Sequence, residues 1–400
     1  MSHTCEPKVI PPFIYFLIAQ LVLLGLLVGC KKSVSPKDSA PLPMPEPQTF
    51  AAGSGHSLFL CNRGTVNTWG WNFYGQLGNG QIGGVSDAHP TPGNITNLNG
   101  IKSVGAGYVQ SYAIKNDETV WAWGSNATGE LGDGTTVDRS NPVLVSLPNG
   151  IVSIAGGQGH SLALRNHGSV WAWGWNATGE LGDGTTIDRS APIKINSLSS
   201  VVAIAAGYRY SLALAENGTV WTWGNNEDGE LGDGTTMDRH RPSKVNQLEG
   251  ITAISAGEHT SYALKNDGTV WAWGDNSAGQ IGDGSNSQRL TPTQVHPLSE
   301  IKSISAGQYF AFAIKNDQTV WAWGGNSNGQ LGDGTTINKI RPAQVSALTG
   351  ITKISAGSWQ CMGVKNDGTL WSWGGNYSGQ LGDGTITEKD LPVQVTALCH

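Results

Sequence analysis

The sequence predicts an all-β protein, a seven-bladed β-propeller with four-stranded antiparallel blades that is closed by the C-terminal strand. Two observations carry this prediction. A Trp-x-Trp-Gly tetrad begins at residues 121, 171, 221, 271, 321 and 371, and a divergent first copy, NTWG, starts at Asn67. Glycine supplies 56 of the 400 residues and tryptophan 16, which suits aromatic strands joined by tight turns. Repeats of this length cannot bury both faces alone, so neighbouring copies must stack.

Each copy reads as four strands. In the third copy, GIVSIAGG and HSLALRN alternate in polarity, HG forms a turn, and SVWAWG is a third strand. Asn-Asp-Gly at 266–268 and Asn-Gly at 217–218 are tight hairpin signals between the second and third strands. APIKINSL is a fourth strand with its proline near the start. Radial packing of such units gives a propeller, and an open solenoid is the alternative.

The chain ends favour ring closure by the last strand. The seventh copy finishes with DLPVQVTALCH, and a proline-rich stretch precedes the first copy. We therefore expect residues 392–398 to supply the strand that the first blade lacks. This closure would place Cys399 in the blade that holds Cys61. A Cys61–Cys399 disulfide is one outcome in an exported protein, and two buried, unpaired thiols are the other.

The N-terminus has the organisation of an export signal. Lys8 precedes an apolar run at 13–28, which ends in Leu-Val-Gly-Cys30 and two lysines. This resembles the lipobox of bacterial lipoproteins, and the resemblance implies that residues 1–29 are a signal peptide and that Cys30 carries lipid such as palmitate. An uncleaved membrane anchor is the alternative. Residues 30–49 contain five prolines and are interpreted as a tether, with the propeller at 50–398.

Composition and motifs exclude several classes of function. A formal charge of −6 and a pI near 5.8 provide no basic face for nucleic acid. The chain has no CxxC pair, G-x-S-x-G motif or phosphate-binding loop, so neither an enzyme, a cofactor nor a metal is predicted. His56 and His160 are expected to hydrogen-bond within their blades. A hydrolase would require carboxylates in the central mouth, where Glu227, Asp228 and Glu258 are the candidates.

The acidic and basic residues of the repeats have a structural interpretation. Asp133 and its equivalents in LGDGTT lack the ligand spacing of a calcium loop and suit turns. Arg139 and its equivalents form a repeated cationic position that is expected to pair with local acids. Trp121, Trp123 and their equivalents are expected to pack blade against blade.

The repeat resembles that of the regulator of chromosome condensation family, as seen in IVSIAGGQGHSLALRNHGSVWAWGWNATGELGDG at 151–184. The resemblance covers residues 47–398 and implies a seven-bladed propeller. The family's founder is a nucleotide-exchange factor, which makes a cytoplasmic, exchange-factor-like regulator of a small GTPase the alternative function. Light capture is set aside because the Gly-Trp-Arg-His-Thr signature of the related ultraviolet-B receptor is missing. A secreted inhibitory propeller of this type binds through aromatic loops on one face.

Alternating strand directions place the loops after strands one and three of each copy at one end, here called the upper face. Loops on a rigid scaffold often carry binding sites, and Trp and Tyr are frequent interface anchors. The candidate partner-binding residues are therefore Trp71, Phe73, Tyr74, Tyr108, Trp175, Tyr208, Tyr210, Tyr309, Phe310, Trp359 and Tyr377. Since closure makes blades seven and one neighbours, the rings of blades six, seven and one are expected to form one patch.

These observations predict a non-enzymatic, exported and membrane-tethered binding module. Its expected partner is an extracytoplasmic protein or glycan bound by the aromatic loops, and it is expected to be a monomer. Lys31 follows Cys30 in place of the aspartate that retains some lipoproteins at the inner membrane. The predicted location is therefore the cell envelope, at the outer membrane in an organism with two membranes.

Overall fold

A computed structural model describes residues 49–84 and 87–399 of the chain. The predicted signal peptide, the predicted lipidation site at Cys30 and nearly all of the predicted tether lie outside the described residues. The described part is all-β, and its strands form seven four-stranded sheets. It includes no helix that is long and apolar enough to cross a membrane. The predicted seven-bladed propeller is confirmed.

The strands follow one another blade by blade. Blade one contains β1 (Phe50–Ala52), β2 (His56–Leu60), β3 (Val66–Trp71) and β4 (Ala88–Asn94). Blade two contains β5 (Ile101–Ala106), β6 (Gln110–Lys115), β7 (Val120–Gly124) and β8 (Arg139–Leu144). Blade three contains β9 (Ile151–Gly156), β10 (His160–Arg165), β11 (Val170–Gly174) and β12 (Arg189–Lys194). Blade four contains β13 (Val201–Ala206), β14 (Tyr210–Ala215), β15 (Val220–Gly224) and β16 (Arg239–Lys244).

The remaining blades repeat this arrangement. Blade five contains β17 (Ile251–Ala256), β18 (Thr260–Lys265), β19 (Val270–Gly274) and β20 (Arg289–Gln294). Blade six contains β21 (Ile301–Ala306), β22 (Phe310–Lys315), β23 (Val320–Gly324) and β24 (Lys339–Gln344). Blade seven contains β25 (Ile351–Ala356), β26 (Gln360–Lys365), β27 (Leu370–Gly374) and β28 (Lys389–Gln394).

Within every blade, strands pair antiparallel in sequence order. The first strand is innermost, because residues of β1, β9 and β13 line a central cavity. Its residues there are mostly alanine, glycine and serine, which lets seven backbones approach one another around the cavity. Strand order and pairing place the loops after the first and third strands of each blade together at the upper face.

The second tryptophan of each tetrad joins one blade to the one before it. Trp273 is fully buried, and its indole Nε1 donates to the backbone oxygen of Glu230 in blade four at 2.7 Å. Seven such tryptophans are buried and bonded to the preceding blade: Trp69, Trp123, Trp173, Trp223, Trp273, Trp323 and Trp373. The predicted blade-to-blade packing is therefore confirmed for this position. The first tryptophan, such as Trp271, is only partly buried.

The contact between the buried indole and the backbone oxygen of the preceding blade is here called the joint. Two glycines of the repeat are required by this joint. A Cβ on Gly232 would lie 2.7 Å from the indole Nε1 of Trp273, and the residue has a φ of +66°. A Cβ on Gly274, immediately after that tryptophan, would lie 2.2 Å from the backbone oxygen of His259. Both positions therefore exclude side chains. This explains why glycine follows the leucine or isoleucine of each loop and the tryptophan of each strand.

The predicted closure by the C-terminal strand is wrong. Strand β28 pairs with β27 inside blade seven, and blade one has its own inner strand, the three-residue β1. Phe50–Ala52 completes the first sheet, since it pairs with β2 in the register that the other inner strands use. The seventh junction instead has the same joint as the others, with the Trp69 indole bonded to the backbone oxygen of Gln380 at 2.9 Å.

The C-terminal segment still reaches blade one. Cys399 forms a disulfide with Cys61, and their Cα atoms are 5.6 Å apart. The backbone N–H of Cys399 also donates to Asn67 Oδ1 at 2.8 Å. Asn67 occupies the position of the first tryptophan in later copies. At the other six junctions the chain itself runs from one blade into the next, and here a disulfide with a sequence separation of 338 supplies the covalent link.

The joint predicts that two tryptophans of one strand differ in their contribution to stability. Trp273→Phe removes a buried indole donor and opens a small cavity, so we expect it to lower the free energy of unfolding by about 2–3 kcal/mol. Trp271→Phe removes a longer bond, from Nε1 to Thr269 Oγ1 at 3.3 Å, on a partly exposed ring. We expect a loss of about 1 kcal/mol or less there. Urea denaturation checks both, and equal losses would contradict the assigned role of the joint.

Candidate functional site

The long loops of the upper face are held from inside by a buried asparagine. Asn126 lies two residues after the tetrad glycine of blade two and is inaccessible to solvent. Its Nδ2 donates to the backbone oxygens of Thr135 and Val137, both at 3.1 Å, and its Oδ1 accepts from the Leu131 N–H at 2.9 Å. The equivalent asparagine in each of the other blades is also fully buried. These loops are therefore rigid parts of the scaffold.

The repeated Asp and Arg residues brace the same loops. Asp133 Oδ2 pairs with Arg139 Nη2 at 2.7 Å, and its Oδ1 accepts from Thr135. These bonds lower the pKa of Asp133, although burial opposes the effect. Local pairing of the cationic position is confirmed, although the bonded acid is Asp133 of the loop. The neighbouring Asp138 accepts the backbone N–H of Asn126 at 2.7 Å.

The braced loops carry a ring of exposed apolar side chains, here called the apolar rim. Four rim residues share one repeat position, and those of blades one and seven lie one residue earlier. Their exposed fractions range from 58% to 66%. The rim consists of Ile82, Val137, Ile187, Met237, Ile337 and Ile386. Blade five has Ser287 at the shared position.

The opening of the central cavity is surrounded by the residue that follows the first loop glycine of each blade. Backbone bonds of about 3.0 Å link neighbouring members, such as the Ser54 N–H with the Tyr108 oxygen and the Gln158 N–H with the Tyr208 oxygen. These residues, here called the mouth ring, are Ser54, Tyr108, Gln158, Tyr208, Glu258, Gln308 and Ser358. The mouth ring therefore combines one residue from each copy into a single polar surface.

The aromatic residues of blade one form a compact group. The ring centroids of Trp71 and Phe73 are 6.1 Å apart, and Tyr74 packs edge-on against both at 5.8 and 4.8 Å. All three side chains are partly exposed. The single patch expected across blades six, seven and one is not seen, because the described ring contacts of this group do not extend to Trp359 or Tyr377.

A second aromatic group lies on blades two to four. Arg209 stacks on the Trp175 ring at 4.4 Å and lies 5.4 Å from the Tyr208 centroid. Gln158 Nε2 donates to the Tyr208 hydroxyl at 2.6 Å, and Arg209 Nε donates to Gln158 Oε1 at 3.2 Å. Tyr108 packs edge-on against Tyr208 at 5.8 Å. The aromatic members are among the partner-binding residues predicted from the sequence, whereas Arg209, which links them, is not.

Two nominated residues are not available to a partner. Tyr210 and Phe310 are fully buried because each begins the second strand of its blade and points into the sheet interface. Their assignment to the exposed face is wrong. Tyr309 and Trp359 are partly exposed, and Tyr377 is 66% exposed. The Tyr377 hydroxyl accepts a hydrogen bond from Asn328 in blade six at 2.9 Å, which directs this ring away from blade one.

Carboxylates and a histidine converge on blades four and five. His259 Nδ1 lies 3.1 Å from Asp228 Oδ2 and 3.5 Å from Glu230 Oε1, and the ligand atoms of the three residues lie within 4.8 Å of one another. This spacing would fit a divalent cation. Burial opposes protonation of His259, but the hydrogen bond and charge of Glu230, with Asp228 and Glu258, raise its pKa. The carboxylates therefore favour the protonated, positively charged form of His259.

Glu258, a member of the mouth ring, has a different environment. Its Oε2 accepts from Gln308 Nε2 at 2.6 Å, and its Oε1 accepts from Ser358 Oγ at 3.2 Å. Burial raises the pKa of Glu258, and these hydrogen bonds together with the charge of His259 partly counter that rise. Glu227, by contrast, is exposed.

Two histidines lie directly below the mouth ring and serve the blade junctions. His56 Nε2 lies 2.9 Å from Ser111 Oγ of blade two, and His160 Nε2 lies 3.0 Å from Ser211 Oγ of blade four. The expected bonds within one blade are therefore wrong, since both histidines bridge neighbouring blades. Burial lowers the pKa of each to about 4, so both rings are neutral at pH 7.

Comparison with known proteins is consistent with this architecture. A family model described as the RCC1-like domain matches residues 24–250 and 145–400. The human probable E3 ubiquitin-protein ligase HERC6 is 41% identical over 86 residues, which are 21% of this chain and 8% of that protein. The ultraviolet-B receptor UVR8 of Arabidopsis thaliana is 31% identical over 100 residues, 24% of this chain and 22% of that protein. The matches thus span less than a quarter of these relatives.

Solved structures are similar over most of the chain. Prp20p from Saccharomyces cerevisiae, described with its binding to Gsp1p and histones, has a TM-score of 0.74 and 23% identity. That match covers 85% of this chain and 87% of Prp20p. Human WBSCR16 has a TM-score of 0.74 and 24% identity, with 83% and 94% of the two chains covered. At these identities the likeness shows a shared fold.

The buried histidines predict a pH-dependent stability. Their pKa is about 4 in the folded chain and about 6.5 when unfolded. As the pH falls from 6.5 to 4, these histidines are therefore protonated in the unfolded chain while they remain neutral in the folded chain, and the free energy of unfolding decreases. We expect each histidine to remove about 2 kcal/mol of unfolding free energy between pH 7 and 4.5.

The variant His56→Gln/His160→Gln isolates this effect, since blades two and seven carry Gln110 and Gln360 at the same position. Glu180 and Glu230 act in the opposite sense, because burial raises the pKa of both. Both glutamates are present in the parent and in the variant, so their effects on stability cancel when the two are compared. Urea denaturation at the two pH values should show a smaller loss for the variant. An equal loss in both chains would refute the assignment.

Proposed function

Because the chain belongs to the RCC1-like domain family, we propose that it is a non-enzymatic, exported and membrane-tethered module that binds an extracytoplasmic protein through its upper face. The propeller scaffold in this proposal rests on the family membership. The location rests on the export signal and on Cys30 in the sequence. The choice of the upper face rests on the distribution of exposed apolar side chains.

The apolar rim is the observation that carries the proposal. Among residues 49–84 and 87–399, ten large apolar side chains are exposed, and seven of them, the rim and Tyr377, lie in upper loops. The described loops at the opposite end contain no Phe, Trp or Tyr. Exposed apolar side chains cost solubility, so their concentration at one end marks an interaction surface. The hydrogen bonds of the buried asparagine fix the loop backbone and leave the rim side chains free to meet a partner.

The surface favours a protein partner over a glycan. A rim of aliphatic side chains around half-buried aromatic rings resembles a protein interface, in which an apolar core excludes water from polar contacts. This chain matches less than a quarter of HERC6 and of UVR8, so the activities of those proteins are not assigned to it. The similarity to Prp20p concerns the fold, and an exchange-factor activity has no further support from the site.

The rim can be tested with substitutions that the chain itself provides. In the triple variant Val137→Ser, Ile187→Ser and Met237→Ser, each residue becomes the serine that blade five already has at Ser287. We expect the epitope-tagged, full-length variant to fold. It should capture at least about tenfold less of the envelope partner than the parent, because interface anchors carry most of the binding energy. Capture after cross-linking, quantified by mass spectrometry, measures this loss.

The matched control removes an exposed apolar residue at the other end of a blade. Leu144→Ser alters a side chain that is 53% exposed on the outer strand β8, where it pairs with Trp121 at the end away from the upper loops. Capture by this control should equal that of the parent. Equal losses in the rim variant and the control would refute a specific upper-face interface, as would unchanged capture by the rim variant. The combination Trp71→Ala, Tyr74→Ala and Trp359→Ala tests the aromatic residues in the same assay.

The tether has its own test. Cells expressing the full chain and grown with labelled palmitate should yield a labelled, membrane-associated protein, and Cys30→Ala should abolish both the label and the association. Cys361→Ala is a suitable control, because Cys361 is buried within blade seven. An unlabelled parent recovered from the cytoplasm would contradict the export proposal and favour the exchange-factor alternative.

A further inference from the structure

The central cavity opens at the upper face and has a volume of about 310 Å³. Its wall consists of backbone and small side chains of the inner strands, and its opening is the mouth ring. Glu258 is the one charged residue among those that line it. A single carboxylate at the entrance of a cavity walled by neutral groups gives the opening a defined electrostatic preference, for cations.

The hydrogen bonds of Glu258 supply no positive charge to its carboxylate. Both donors, Gln308 Nε2 and Ser358 Oγ, are neutral groups. Removal from water without a cationic partner is costly for a carboxylate, and this is why burial raises the pKa of Glu258. A cation that enters the mouth would offset part of this unfavourable desolvation free energy.

A second acceptor lies beside this carboxylate. Gln308 Oε1 is buried and accepts no hydrogen bond. Its orientation is fixed, because the other end of the same amide donates to Glu258 at 2.6 Å. A buried carbonyl oxygen without a donor is rare in native structures. Glu258 and Gln308 Oε1 are therefore one charged and one neutral acceptor on adjoining side chains, which matches a ligand that brings several N–H donors and a positive charge.

The chain's own cations are directed elsewhere. Arg209 is stacked on Trp175 and donates to Gln158, and its charge acts on Glu180 in blade three. His259 directs Nδ1 to Asp228 and Glu230, at 3.1 and 3.5 Å. Neither side chain forms an ion pair with Glu258 in this arrangement, although the charge of His259 reaches it.

Aromatic side chains flank the acceptors. Tyr208 is a neighbour of Glu258 in the mouth ring, and their backbones are linked by a hydrogen bond of 3.0 Å. Tyr309 follows Gln308. Burial together with the negative charges of Glu258, Asp275 and Asp228 raises the pKa of Tyr309, and a hydrogen bond with the Gln308 side chain partly counters that rise. Tyrosine rings beside a carboxylate add cation–π attraction for an ammonium or guanidinium group.

We propose that the mouth ring binds a guanidinium group, presented by an arginine side chain of the partner, with Glu258 and Gln308 Oε1 as the acceptors. That the arginine belongs to a protein partner rests on the proposed function, whereas recognition of the guanidinium group does not. Arginine is preferred over lysine because its planar fork can reach two adjacent acceptors at once.

The test uses a five-residue peptide that is blocked at both ends, contains one central arginine and is otherwise made of glycine and serine. Its matched control carries citrulline, which keeps the shape and loses the charge. Titration of the full-length chain in detergent, followed by ligand-observed NMR with EDTA present, should show saturable binding of the arginine peptide. Binding of the citrulline peptide should be at least about tenfold weaker.

Three variants locate the site. Glu258→Gln keeps the acceptor for Gln308 and removes the charge, and should weaken arginine-peptide binding at least about tenfold. Gln308→Met removes the second acceptor and should weaken it about threefold. Glu227→Gln makes the same charge change at an exposed site and should stay within about twofold of the parent. An unchanged thermal midpoint for each variant verifies the fold.

The outcomes separate the two proposals. Unsaturable binding, equal binding of the two peptides, or equal losses in Glu258→Gln and Glu227→Gln would overturn the guanidinium site. Capture of a partner that depends on the apolar rim would then still support the binding module. Conversely, specific arginine-peptide binding supports the mouth site even where rim substitutions leave capture unchanged.

Discussion

The bond from a buried indole to a backbone carbonyl of the preceding blade is the interaction on which the rest of the structure depends. It occurs at all seven junctions, including the one where the chain ends meet. The accepting carbonyl lies in an upper-face loop, since Glu230 belongs to the turn after β15. The joint that holds the blades together therefore also fixes the loops. A binding surface assembled from seven separate loops requires this rigidity.

Much of the fold follows from the repeat. Period-two alternation, Asn-Gly turns and spaced tryptophans specify four strands per copy, and the number of copies specifies the blades. The predicted closure by the C-terminal strand is wrong because the strand that completes blade one, Phe50–Ala52, is only three residues long and adjoins a proline-rich stretch. A clue was present in Asn67. A small polar residue where later copies have tryptophan leaves room for the C-terminal segment and its bond from Cys399.

The candidate site was predicted less well, for physical reasons. Tyr210 and Phe310 differ between copies as the loop residues before them do, but they share the position of His160, with which the second strand begins. Val137 and its equivalents have the sequence context of ordinary turn residues. Their exposure becomes evident only in the structure, where Asn126 binds the Val137 backbone oxygen and the side chain is left in solvent. The mouth ring was not recognised, because its members lie about fifty residues apart and become neighbours only when the ring closes.

The upper face therefore has two concentric parts, an apolar rim held by braced loops and a polar mouth with one carboxylate. Hydrogen–deuterium exchange of the full chain, with and without its captured partner, tests most directly whether this face is the working surface. If the upper face is the binding surface, protection on binding is confined to the loops after the first and third strands. Protection of the Asn-Asp-Gly turns at the opposite end, with unchanged exchange in the upper loops, would contradict this assignment.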